Sequence, residues 1–144
     1  LLLKEYEPEQ HALYDDAAKR LGIQFWEKIG YSCHENPDPY GIDLIVEGKD
    51  RSFYCEVEIR LAWKGPTFPF PTLMLPLRKK KFAKDKCMFM VINRGQTHAM
   101  MVHAKDVLAS PTVENANERV TEGERFFDIP LEATQLIPLL AKVV

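Results

Sequence analysis

Residues 40–60, YGIDLIVEGKDRSFYCEVEIR, decide how this chain is read. Two apolar runs flank a charged "EGKDRS", the pattern of two strands joined by a hairpin turn. Side chains two apart share a face of a strand. Phe53, Cys55, Val57, Ile59 and Leu61 therefore line one side of the second strand, and Tyr54, Glu56, Glu58 and Arg60 the other. Alternation alone makes Glu56 and Glu58 part of a solvated polar face. Asp43 does not fit so simply, because it interrupts the apolar run Ile42, Leu44, Ile45, Val46. An acid there sits at the sheet's rim or is neutralised by a partner charge or a metal. If the strands pair antiparallel, Asp43 lies close to Glu56 and Glu58. Three such carboxylates raise one another's pKa unless a cation intervenes. A hard divalent ion answers this: Mg²⁺ binds one or two carboxylates and completes its shell with waters and phosphate.

The flanking sequence supplies the elements around this hairpin. Leu13, Ala17, Leu21 and Phe25 recur at i, i+4, widened by Tyr14, Ala18 and Ile29, which predicts a helix over 9–29. Pro8 and Gly30 punctuate it, and "NPDPYG" (36–41) is a turn. "GPTFPFPTLMLP" (65–76) carries four prolines, which exclude a central strand and suggest an extended loop. "KCMFMVINR" reads as a strand buried on both faces, "THAMMVHA" as its hairpin partner, and "AKDVLAS" as a short helix stopped by Pro111. "RFFDI" suggests a last edge strand and "PLEATQLI" a final helical turn. The order predicts an α/β (α+β) domain over 1–144, built on a central mixed sheet flanked by helices. Its core spans about 9–105, and 106–144 form an extension.

At 144 residues, 46% hydrophobic and 28% charged, the chain has the composition of one globular domain. No apolar run is long enough to span a membrane, and "LLLKEYEPEQ" is too short and too soon charged for a signal peptide. Cys33, Cys55 and Cys87 are odd in number and widely spaced, which favours reduced thiols in a cytoplasmic setting. The net charge of −2 gives no global basic field. The charge is segregated, however: "RKKKFAKDK" (78–86) holds six basic residues against one Asp, and 114–128 is mostly acidic. Such a patch suits a phosphate backbone even on an acidic protein, and equally suits a solvated helix start.

"YGIDLIV", a hairpin and "YCEVEIR" together resemble the active-site hairpin of the PD-(D/E)XK nuclease superfamily, and the preceding helix and following apolar strands fit its core order. The resemblance covers roughly 9–105. It implies a restriction-endonuclease-like fold and a Mg²⁺- or Mn²⁺-dependent endonuclease hydrolysing phosphodiester bonds of DNA. Asp43 and Glu56 would be metal ligands with the Val57 carbonyl, and Glu58 would bind or help deprotonate the attacking water. The family motif places Lys where this chain has Glu58. Lys64, just past the strand, or Lys79 or Lys81 from the basic segment are candidates for the missing lysine. An acid of the first helix often completes such a site, here Asp15, Asp16 or Glu27, of which Asp16 is taken. Arg78, Lys79, Lys80, Lys81 and Lys84 would contact the nucleic-acid backbone.

The small size suggests a structure-selective or partner-directed enzyme of a phage or a bacterial defence or repair system, with a homodimer compatible. Glu at the Lys position keeps a second reading open, a catalytically degenerate module that binds nucleic acid or a protein. In a third, the carboxylates are structural and pair with Arg60 or Arg78. Trp63 is expected to pack at the strand end. The four histidines show no zinc-like spacing.

Overall fold

The structure, a computed structural model, describes residues 8–83, 86–114 and 124–139. Helix α1 runs Pro8–Lys28, with proline in its first turn, where its missing N–H breaks no helical bond. It stops at Gly30, whose φ of 104° suits only glycine well. Gly30 N–H donates to the Glu27 carbonyl (3.1 Å) and Tyr31 N–H to that of Trp26 (3.0 Å), so the last turn's carbonyls are satisfied. Ala17, Ala18, Leu21 and Trp26 are buried, whereas Leu13 and Ile29, expected on the apolar stripe, are exposed.

The strands, in chain order, are β1 (Ser32–Glu35), β2 (Leu44–Glu47), β3 (Ser52–Arg60), β4 (Thr72–Pro76), β5 (Cys87–Asn93), β6 (His98–His103), β7 (Thr112–Glu114), β8 (Arg125–Pro130) and β9 (Gln135–Pro138). Short helices α2 (Lys80–Ala83) and α3 (Ala104–Leu108) and two 3-10 turns, Leu77–Lys79 and Leu131–Ala133, complete the described chain. Six strands form one sheet in the order β1-β2-β3-β5-β6-β9, and three form a second in the order β4-β8-β7. Within the large sheet β3 and β5 are parallel and the other pairs antiparallel. Parallel neighbours need a crossover, and this one runs through β4, the turn Leu77–Lys79 and α2.

The crossover explains the layering. Ala18, Leu21 and Trp26 of α1 pack with Leu44, Val46, Cys55, Val57, Met90 and Ile92 on one face of the large sheet. On the other, Phe89, Val91, Met100 and Val102 pack with Leu73, Leu75, Phe127 and Ile129 of the second sheet. β5 is buried along nearly its whole length, as expected for a strand covered on both sides. The fold is mixed α/β and compatible with a single α+β domain, the class expected from sequence. Among the described residues no helix is long and apolar enough to cross a membrane.

Several expectations change. One sheet was expected and two are present. The proline-rich segment is a loop only as far as Pro71; β4 follows, at a sheet edge, where a strand tolerates proline. "RFFDI" lies in β8, the centre of the second sheet rather than an edge, and "PLEATQLI" makes a 3-10 turn followed by β9. β1 and β7, four and three residues long, are too short to show a period.

Candidate active site

The β2–β3 ladder ends at the pair Leu44–Cys55. Asp43 and Glu56 are the next residues outward, and there side chains replace the ladder. Val57 N–H donates to Asp43 Oδ2 (3.0 Å), and Asp43 N–H donates to Glu56 Oε1 (3.1 Å). The Asp43 carbonyl accepts from Asn36 N–H at 2.9 Å, beside the end of β1. Asp43 thus stands where the strands part, at the sheet's rim, one of the two placements its sequence context allowed.

Glu56 is 6% exposed, so it does not belong to a solvated face. The parallel register pairs Glu56 with Phe89 and Glu58 with Val91, on the side that the second sheet covers. Lys79 reaches in from the end of the 3-10 turn after β4, its Nζ 2.5 Å from Glu56 Oε2. Burial pushes the Glu56 carboxyl up to about 7; Lys79 opposes that rise, while the nearby charge of Asp43 reinforces it. The Asp15 carboxyl is raised as well, first by partial loss of water around it and then by the charge of Asp43. Asp15 shares a helix face with Ala18 and Gly22, at i, i+3 and i+7. A Cβ at Gly22 would stand 2.7 Å from Leu44 Cδ1 and 3.0 Å from Val57 Cγ1, so glycine lets α1 approach the two strands closely.

Glu58 lines a small cavity together with Glu56 and Lys79, but its oxygens are already engaged. Arg60, two residues on and on the same face, holds both of its oxygens at 3.1 and 3.3 Å. Arg60 also donates to the Met74 carbonyl at 2.8 Å, tying β3 to β4 over the glutamates. The pairing of carboxylates with Arg60 or Arg78 expected under a structural role therefore holds for Glu58 and Arg60, while Arg78 pairs instead with Glu124 at 2.7 Å.

Lys64 is exposed beyond the far end of β3, its carbonyl beside Gly95 in the β5–β6 turn, and it is not brought to Glu56; Lys79 is. Asp16 lines a separate surface groove with Lys19, Arg20, Ile23, Gln24 and Glu35, because one residue along a helix turns the side chain away from Asp15's direction. Glu27 lies near Cys33, toward the other end of α1. Arg78, Lys80 and Lys81 are exposed around the half-buried Lys79, and Lys84 lies outside the described residues. Phe82 packs against the core, with Lys79 and Lys81 over its ring at 5.6 and 4.9 Å. Trp63 is fully buried and its Nε1–H donates to the Thr67 carbonyl at 2.9 Å. Cys33, Cys55 and Cys87 are all buried.

Among the described residues no group of three or more His, Cys, Asp or Glu is arranged to hold a metal ion. The donor chemistry at Asp43 and Glu56 nevertheless fits Mg²⁺ or Mn²⁺, which takes one or two protein carboxylates and leaves its other positions to waters and substrate oxygens. No family model, curated protein or solved structure matches the chain.

Proposed function

We propose that this chain is a metal-dependent endonuclease of the PD-(D/E)XK kind, hydrolysing phosphodiester bonds of DNA. One observation carries the reading: Asp43, Glu56 and Lys79, from three separate segments, meet where β2 and β3 part. Asp43 and Glu56 would hold Mg²⁺ or Mn²⁺, with the Val57 carbonyl as a further oxygen donor. Bound there, the ion supplies Lewis-acid polarisation of a phosphoryl oxygen and a lowered pKa for a bound water. Lys79 brings a positive charge to the site from the crossover and stands in for the lysine missing at Glu58; its ammonium stabilises negative charge as it builds on the phosphate. Exposed Arg78, Lys80 and Lys81 attract the backbone without reading bases. Glu58, held by Arg60, positions β4 and Lys79 rather than water. Incubation with DNA tests the reading. Cleavage that needs Mg²⁺, stops with chelator and is lost in Asp43→Asn supports it, and wild-type cleavage by Asp43→Asn contradicts it.

A second reading rests on the partners already in place. Asp43 N–H and Lys79 occupy the two oxygens of Glu56, and Arg60 occupies both of Glu58. With its acids so satisfied, the chain would be a nuclease-fold module that binds nucleic acid or a protein without cutting. Salt-sensitive DNA binding with no affinity for Mn²⁺ at Asp43 and Glu56 would select it.

A further inference from the structure

Lys79 closes the site it helps to form. Its ammonium sits on Glu56 Oε2, and Asp43 N–H takes the other oxygen. The cavity lined by Glu56, Glu58, Leu75, Lys79 and Phe89 has a volume of about 10 Å³. That is room for about one water. A Mg²⁺ ion at Glu56 Oε2 would have to displace the Lys79 ammonium that already sits there.

Resting on the nuclease reading above, we propose that Lys79 is a gate: an internal cation that holds Glu56 until a nucleic-acid phosphate draws its ammonium away. Metal and phosphate binding are then positively coupled. The argument is one of charge balance. The pair is largely buried, with 7% of the Glu56 side chain and 22% of that of Lys79 exposed. Separating such a pair without replacement leaves an uncompensated charge in the protein. A divalent ion replaces Lys79 at Glu56, and a phosphate replaces Glu56 at Lys79. Either ligand alone leaves one member unpaired; both together leave neither. The surroundings suit the exchange. Lys79 ends a single 3-10 turn and is flanked by exposed Arg78 and Lys80, so a backbone phosphate attracted by the flanks arrives within its reach. The Phe82 ring, 5.6 Å from Nζ, offers the ammonium an aromatic face besides Glu56. An ion then meets Asp43 and Glu56 only where a substrate phosphate is already present.

Linkage makes the coupling measurable from either ligand. The probe is Mn²⁺, its free concentration followed by electron paramagnetic resonance at mildly alkaline pH, with and without a short DNA duplex of phosphorothioate linkages that resist hydrolysis. Wild-type protein alone should bind Mn²⁺ weakly, and the duplex should tighten binding by about tenfold or more. Lys79→Met should bind Mn²⁺ without the duplex more tightly than wild type does, and gain less than wild type when the duplex is added. Adding Asp43→Asn to Lys79→Met should abolish that binding; retained binding puts the ion elsewhere and overturns the gate. Equal affinity in wild type and Lys79→Met, unmoved by the duplex, removes the gate and leaves the metal site standing. Absence of Mn²⁺ binding in every state removes both. Should Lys79→Met not fold, Lys79→Gln takes its place in the same titrations.

Discussion

Val57 N–H donates to Asp43 Oδ2 while Asp43 N–H donates to Glu56 Oε1, so the two carboxylates lock the end of the β2–β3 ladder. Asp43 therefore has a structural task as well as the proposed chemical one, and two substitutions separate them. Asp43→Ala leaves the Val57 N–H without its acceptor and should lower stability by about 1–3 kcal/mol in urea denaturation, besides abolishing cleavage. Asp43→Asn keeps an acceptor oxygen and should keep most of the stability while cleavage is still lost. Equal stability of the two variants would mean that the Val57 bond contributes nothing.

Glu56 should leave a signature in the pH dependence of stability. Its carboxyl, normally near 4.5, is raised to about 7 by burial, with Asp43 reinforcing and Lys79 opposing. Between those values the native state holds a proton that the unfolded chain has released, so unfolding free energy falls as pH rises through the window and levels off above it. The fall amounts to roughly 3 kcal/mol at most. Asp15, raised too, adds a slope of the same sign. Glu56→Gln should flatten the profile relative to wild type while the Asp15 part persists. Parallel profiles for the two proteins would show that Glu56 titrates normally.

Glu58 and Arg60 should behave unequally. The ion pair between them is partly exposed, with side-chain exposures of 32% and 20%, and such pairs are worth at most about 1 kcal/mol. Glu58→Gln should therefore alter stability little and slow cleavage by less than about tenfold, a barrier change under about 1.4 kcal/mol. Arg60→Met also removes the bond to the Met74 carbonyl that ties β4 over Glu56, and should lower stability by about 1–3 kcal/mol. Thermal melts and single-turnover cleavage check both. A loss of cleavage in Glu58→Gln as deep as that in Asp43→Asn would restore Glu58 to the reacting centre.

Gly22 sets the distance between α1 and the site. Alanine there favours the helix by up to about 1 kcal/mol. Its Cβ, however, would press on Leu44 and Val57, and Leu44 is fully buried with little freedom to turn aside. Overpacking of this kind costs about 1–3 kcal/mol, so Gly22→Ala should be net destabilising in calorimetry. A more stable variant would show that the helix approaches less closely.

The parts of this fold legible in the sequence are those with local patterns. The 3.6-residue period gave α1 nearly to its ends, and period two gave β3 with Glu56 and Glu58 on one face. Asp43 stood out because an acid among Ile42, Leu44 and Ile45 conflicts with its surroundings. Long-range pairing was not legible. Prolines concealed β4, and with it the second sheet that buries Glu56 and delivers Lys79. Lys79 was one of several lysines in a basic segment, and only the parallel β3–β5 crossover singles it out. Choosing Asp15 over Asp16 needs the rotation of α1 about its axis, which Gly22 and Ala18 fix by their contact with the sheet. Glu58 was read by its motif position, while its neighbour two residues on, Arg60, determines where it points.

The central claim is that Asp43 and Glu56 form a divalent-metal site that Lys79 vacates when nucleic acid binds. Crystals grown with Mn²⁺ and a short phosphorothioate DNA duplex test it most directly, through anomalous scattering from the manganese. The account predicts one Mn²⁺ bound by both Asp43 and Glu56, with the Lys79 ammonium moved from Glu56 onto a DNA phosphate. DNA in place with no Mn²⁺ at these carboxylates, and Lys79 still paired with Glu56, would contradict it.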